Sequence, residues 1–336
     1  MTNTKICDII YLYTGIPNFD AFERQIMRSY YSLQIRAEHP TVVALGCFDG
    51  LHIGHSAVIC TAVDIAKKAS LLSAVCTFDA PPKNFFIRGS APAITDRSEK
   101  ERLASALGTD VFLSLPFNTE ISSLSPNDFF DKILVNALRA SHIVCGFNYK
   151  FGKNAAGNTE TLKKLCDKAG ISLTCLAPVE LDGKTISSSI IRHELLAGNI
   201  ESANKYLGHP FSLNSKVIGG KKLARKLGFP TLNQAFPEDC IVPANGVYLT
   251  QVITKDGVKH FGITNVGVRP TVGNRSLRAE THIFDFDGDL YGQNVRIEFL
   301  HFLRPEKAFS SIDALSAQVN EDIEQAKKAI KDHNIH

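Results

Sequence analysis

Two histidines, His52 and His55, stand behind a glycine-bearing turn in the run Leu45-Gly46-Cys47-Phe48-Asp49-Gly50-Leu51-His52-Ile53-Gly54-His55. Residues three apart share one face of a helical turn. Gly54, between them, lets a ligand approach the backbone closely. The free N–H groups of a helix start, and the helix dipole, favour an anion. Two imidazoles with backbone donors suit a polyphosphate. The pattern therefore points to nucleotide chemistry without a Walker lysine.

A second constellation lies far along the chain. Thr231 and Asn233 alternate with Leu232, so on a strand both point to one face. Their side-chain oxygens are of a kind that binds Mg²⁺, but the Pro-Thr-Leu-Asn run taken alone reads as a strand edge. Just upstream, Gly219-Gly220-Lys221-Lys222-Leu223-Ala224-Arg225-Lys226-Leu227-Gly228 is basic and glycine-bearing, as a phosphate-covering flap should be. Asp285, Asp287 and Asp289 also alternate. They lack the twelve-residue loop and terminal Glu of a calcium site, and Asp-Gly there suits a hairpin turn.

The elements that must carry these residues follow from periodicity. Thr41–Leu45 reads as a buried strand that Gly46 and Gly50 break, and a helix begins near His52. Strands are predicted over 41–45, 72–78, 110–115, 142–146 and 171–176. Helices are predicted over 53–69, 98–107, 126–140 and 159–169, with another from about 187. This alternation predicts an α/β, Rossmann-like domain with a parallel sheet over residues 41–200. Ligands then bind outside the carboxyl ends of the strands. Both Gly46–His55 and Gly146–Gly157 follow such ends.

From about residue 201 the texture changes to short alternating runs at 211–218, 246–253, 258–266, 279–284 and 293–302. A small antiparallel β-barrel is predicted for 201–336, closed by a helix over Phe309–Lys331. Residues 1–40 form an extension without an assigned role. Within it Phe19–Ile35 has the pattern of either an amphipathic helix or a poorly ordered segment.

Composition narrows the class. The chain has 336 residues, 44% hydrophobic and 21% charged, with a net charge of +3. That describes an ordinary two-domain globular protein. It gives no sign of a nucleic-acid-coating surface. No apolar run reaches membrane-spanning length, and the start lacks the features of a signal peptide. Eight scattered cysteines, with no Cys-x-x-Cys pair, suit reduced thiols in a cytoplasmic protein. Oligomeric state is not legible.

The ten-residue form Gly-x-Phe-Asp-Gly-x-His-x-Gly-His after a strand resembles the signature of nucleotidylyltransferases, in the form found in bacterial bifunctional riboflavin kinase/FAD synthetases. Gly146-Phe147-Asn148-Tyr149-Lys150-Phe151-Gly152 resembles a second loop of that family, in which Asn148 would contact ATP or flavin. Ile186-Ser187-Ser188-Ser189-Ile190-Ile191-Arg192 resembles its Ile-Ser-Ser-Thr-Arg-Ile-Arg stretch. Gly228-Phe229-Pro230-Thr231-Leu232-Asn233 is similar to its Gly-Phe-Pro-Thr-Ala-Asn, and Glu280 falls at the position of its catalytic glutamate.

The resemblance implies two activities on ATP: phosphorylation of riboflavin to FMN, and adenylylation of FMN to FAD, with Mg²⁺ serving both. It assigns His52, His55 and Arg192 to adenylyl transfer, with Gly46, Phe48, Asp49, Gly50, Gly54, Asn148, Ser187 and Ser188 lining that site. It assigns Glu280 as the base for phosphorylation, Thr231 and Asn233 to the metal, and Gly219, Lys222, Gly228, Pro230 and Arg269 to binding. Arg269 serves equally well as a salt-bridge partner. Three positions depart from the family pattern: Cys47 for Asn, Pro81 for His and Ile190 for Arg. They keep two other readings open, a kinase with a weak or inactive adenylyltransferase half and a flavin- or nucleotide-binding sensor.

Overall fold

The computed structural model describes residues 27–87, 89–219, 229–271 and 274–332, the side chains of 268–276 excepted. It divides into two compact units, the first ending at Ser188 and the second beginning at Ser189.

The first unit is built on six parallel strands: β1 (Arg28–Tyr30), β2 (Thr41–Leu45), β3 (Leu72–Phe78), β4 (Val111–Leu115), β5 (Ala140–Gly146) and β6 (Ser172–Leu176), in the order β1-β4-β3-β2-β5-β6. Between them run α1 (Ile53–Ala69), α2 (Pro82–Phe86), α3 (Arg97–Ala106), α4 (Thr119–Ser123), α5 (Pro126–Phe129) and α6 (Thr159–Ala169). The turns after α5 widen to a π-helix over Phe130–Ala137. Val43 and Leu45 pack with Ile133 and Leu162 on one face of the sheet; Val42 and Ala44 pack with Ile59 and Leu103 on the other. Helices cover both faces, which is why the central strands are apolar without alternation. A short hairpin, β7 (Glu180–Leu181) and β8 (Lys184–Thr185), follows the sheet.

The expectation for Phe19–Ile35 needs correcting where it is described. Residues 19–26 lie outside the description, and Arg28–Tyr30 is neither helical nor loose. It adds an edge strand, with Arg28 opposite Val111 and Tyr30 opposite Leu113. Tyr30 packs onto the sheet core, and the hydroxyls of Ser29 and Tyr31 both donate to the Glu101 carboxylate on α3. These contacts are long-range, so local periodicity does not reveal them.

The second unit begins with α7 (the helix Ser188–Ala197) and α8 (Ile200–Leu207). Both helices bond to the strand region: Ala244 N–H, in the loop before β11, donates to Leu195 C=O at 2.9 Å, and Asn204 Nδ2 to Phe299 C=O of β14 at 2.7 Å. Six antiparallel strands follow: β9 (Phe211–Lys216), β10 (Thr231–Ala235), β11 (Gly246–Ile253), β12 (Lys259–Thr271), β13 (Asn274–Ile283) and β14 (Asn294–Pro305), in the order β10-β13-β12-β11-β14-β9.

The sheet curls until its edges meet. Ile218, just past β9, pairs with Asn233 of β10, and the buried Gln234 amide donates to Ser215 and Val295 carbonyls. Tyr248 and Phe299 pack together in the interior. There Thr250, Thr264 and Thr281 form a buried hydroxyl ladder at 2.8 Å per step. The opposite face carries Val247, Leu249 and Ile263, against which α9 (Ile312–Asp332) lays Ala326 and Ala329. A bidentate Arg304–Asp322 pair, at 2.7 and 2.8 Å, ties α9 to β14.

Candidate active sites

The first site forms where β2 ends. Phe48, Gly50 and Leu51 all take positive φ, at 47°, 79° and 38°, so the chain turns tightly before α1. A Cβ on Gly46 would stand 2.7 Å from the Phe48 ring, which requires glycine there. A Cβ on Gly54 would meet His52 Cε1 at 3.2 Å, so this glycine clears room for the imidazole.

His52 is the N-cap of α1, and its Nδ1 accepts the His55 N–H at 3.3 Å. That bond leaves the ring proton on Nε2, as a donor. The two imidazoles stack with centroids 3.6 Å apart, and Phe48 meets His55 edge-on at 5.3 Å. His55 Nδ1 is buried with no hydrogen-bond partner. Burial first, then His52 and Lys100, hold the His55 pKa well below the usual imidazole value. His55 is therefore neutral near pH 7 until an anion arrives.

Asp49 is buried in this turn. Its Oδ1 accepts the Ile94 N–H at 2.8 Å, the Gly50 N–H goes to Thr95 Oγ1 at 3.1 Å, and Ser188 Oγ donates to Asp49 C=O at 2.9 Å. Asp49 thus braces the turn against residues 94–95. Asn148 and Phe147 lie exposed in the loop after β5, while Phe151 is buried and pairs with Gly157. Ser187 is half-buried just before α7, and Arg192 is half-buried on α7.

The second site lies on the barrel. Register places Asn233 opposite Glu280, and Glu280 opposite Asn265. Directly opposed residues of antiparallel strands share a face, so the three form one row across β10, β13 and β12. The next row is Thr231, His282 and Ile263. A cavity of about 780 Å³ gathers both rows with Tyr291, Phe309 and Asp322. His282 Nδ1 donates to the Pro230 carbonyl at 3.0 Å and so holds the chain entering β10. Val247, Val319 and Leu315 give the cavity apolar lining, and Thr231, Asn233 and Glu280 give it polar lining.

Comparison with known proteins agrees with this two-part layout. The FAD synthetase family profile matches residues 34–190, and the riboflavin kinase profile matches residues 207–330. A bifunctional riboflavin kinase/FMN adenylyltransferase of Pseudomonas fluorescens is 37% identical, over 90% of this chain and 97% of its own length. Its counterpart in Escherichia coli K12 is 31% identical, over 89% and 95%. The chain belongs to the bifunctional riboflavin kinase/FMN adenylyltransferase family. A solved structure described as a macrolide-efflux protein from Streptococcus pneumoniae is 32% identical, with a TM-score of 0.80 over 90% of this chain and 99% of that one. No helix among the described residues is long and apolar enough to cross a membrane.

Within this family frame, the structure brings Gly46, Phe48, Asp49, Gly50, His52, Gly54, His55 and Ser188 together in the first unit. Thr231, Asn233, Glu280 and Pro230 gather in the second. Gly219 is exposed, and a Cβ there would meet nothing within 4 Å. Lys222, Gly228 and the Arg269 side chain lie outside the description. Two residues join the sites that spacing did not single out. Asn265 enters through strand register, a signal available once β12 and β13 are aligned. Lys100 enters from α3, with no local signal.

Proposed function

We propose that the second unit transfers the γ-phosphoryl group of ATP to the primary alcohol of riboflavin, giving FMN and ADP. The first unit transfers the adenylyl group of a second ATP to FMN, giving FAD and pyrophosphate. The observation that carries this reading is the row Asn233–Glu280–Asn265 beside Thr231 in one cavity. A carboxylate there accepts the proton of an attacking alcohol. The apolar lining of the same cavity suits a flat aromatic ring system.

Thr231 and Asn233 present oxygen donors, which fit a hard divalent ion. Among the described residues no cluster of three acidic, His or Cys side chains exists to hold such an ion alone. Thr231 and Asn233 would hold Mg²⁺ together with nucleotide phosphates, and the ion would there supply neutralisation of developing charge. In the first unit, His52 and His55 donate to the triphosphate and the turn's backbone receives it; the Arg192 guanidinium, on α7 of the second unit, is of a kind that clamps phosphate. Ser187 and Ser188, at the end of the first unit, donate to phosphate, while Asn148 contacts nucleotide or flavin.

The departure at Cys47 bears on whether the first unit works. The recorded bonds that hold the turn at this position use its main-chain oxygen, which accepts from Thr77 Oγ1 and Lys100 Nζ. A changed side chain leaves those bonds intact, which supports an active adenylyltransferase. The test is chromatography of products from riboflavin, ATP and Mg²⁺, beside a tube started from FMN. FAD in both tubes is expected. FMN accumulating in the first, with no FAD in either, would reduce the protein to a kinase.

A further inference from the structure

Lys100 is 1% exposed, on α3. Its ammonium donates to the Phe78 carbonyl at 2.7 Å and the Cys47 carbonyl at 3.1 Å. These two carbonyls lie where neighbouring parallel strands, β3 and β2, leave the sheet. The acids beside it on α3 are committed elsewhere: Glu99 takes Arg102 in a bidentate pair, and Glu101 takes Ser29 and Tyr31. Among the described residues no close ion pair joins Lys100 to a carboxylate. A buried cation held only by carbonyl dipoles is costly unless a negative charge comes near. The negative charge that comes near this turn is the triphosphate.

We propose that Lys100 is the positioning residue of the adenylyl site, fixing the exits of β2 and β3 from below and supplying, through the turn, the positive charge that a Walker lysine supplies by contact. The proposal rests on reading the first unit as an adenylyltransferase. It explains how a turn without a Walker lysine attracts a polyanion. Ammonium bonding to the Cys47 carbonyl also polarises the peptide that follows, strengthening its N–H as a donor. Around His55 the charged or titratable neighbours are His52 at its own helix start and Lys100 from α3; Phe48 and burial supply the rest. Lys100 adds to burial and to His52 in opposing protonation of His55.

Thr77 provides the control, because its hydroxyl donates to the same Cys47 carbonyl at 2.8 Å without a charge. Lys100→Met and Thr77→Val in the full-length enzyme are compared for FAD formation from FMN and ATP, with riboflavin phosphorylation as internal reference. Lys100→Met is expected to lower kcat/KM for ATP by about 100-fold, leaving KM for FMN and the kinase step unchanged. Thr77→Val is expected to cost about tenfold or less. The His55 imidazole, followed by NMR, should titrate at higher pH in Lys100→Met and be unmoved in Thr77→Val.

Equal losses in the two variants, or an unmoved His55, would overturn the charge role. If Lys100→Met does not fold, Lys100→Gln keeps an N–H donor without the charge and takes its place, judged by the same two readouts. If the wild-type enzyme makes no FAD, the adenylyltransferase reading fails, and the His55 titration still decides for or against Lys100.

Discussion

The two candidate sites are built in opposite ways. The first is a turn at the carboxyl edge of a parallel sheet, made from consecutive residues, Gly46 to His55. Its tools are backbone N–H groups, two stacked imidazoles and a cation buried behind the chain. The second is a patch on one face of an antiparallel sheet, made from residues far apart in sequence and aligned by strand register. Its tools are side-chain oxygens and one carboxylate. Parallel strands end together and leave main chain at the edge. Antiparallel strands offer a flat face with alternate side chains. Each sheet type thus dictates how its site is built, and each site should fail in its own way.

The sharpest test of that separation is a crossed pair of substitutions. Glu280→Ala should lower riboflavin phosphorylation by about 10²–10⁴-fold, the range for losing a general base. FAD formation from supplied FMN should be unchanged. His52→Ala should do the reverse, lowering FAD formation by about 10²–10³-fold while the kinase runs normally. Product chromatography from the two starting flavins reads both. A variant that lost both activities while remaining folded would break the division into independent sites.

How far each site was legible follows from the same contrast. The turn site could be read because its residues are contiguous: the glycines, the helix start and the histidine spacing are local facts. Strands 41–45 and 72–78 and helix 53–69 were placed to the residue for the same reason. The face site was half legible. Thr231 and Asn233 share a face by alternation alone, but Asn265 joins them only through pairing with Glu280, which no local pattern gives. Lys100 was invisible, because nothing near it in sequence distinguishes a buried lysine from one on a solvated helix face. The edge strand Arg28–Tyr30 escaped for a related reason: three residues are too few to show a period, and its partners are some eighty positions away.

Two smaller substitutions sharpen the comparison within each site. Asn265→Ala should reduce kinase kcat/KM by about tenfold, as expected for one lost hydrogen-bonding side chain beside the carboxylate. An unaffected variant would confine the working row to β10 and β13. Gly54→Ala places a methyl 3.2 Å from His52 Cε1. The ring must shift by a few tenths of an ångström, and FAD formation should fall several-fold, about 1 kcal/mol of transition-state stabilisation. The kinase step should not respond.

The smallest effect concerns stability and depends on a single proton. His55 has a folded-state pKa well below the usual imidazole value, because burial first, then His52 and Lys100, oppose its protonation. The unfolded chain titrates near 6.5. Below that pH the unfolded state binds a proton that the folded state refuses, so the stability of the first unit should fall on acidification from about pH 7 and be full above it. The ceiling is about 1.4 kcal/mol per pH unit. Replacing His55 by Gln removes the titrating group and should flatten the pH dependence of the first unit's unfolding midpoint between pH 7.5 and 5.5. Saturating ATP should flatten it too, since phosphate beside the ring favours the protonated form and raises the folded-state pKa. The kinase face has no corresponding buried imidazole in its polar row, so riboflavin should not reproduce the ATP effect. An identical slope in the wild type and in His55→Gln would show that folding leaves the His55 pKa unchanged, and that burial does not hold the imidazole neutral.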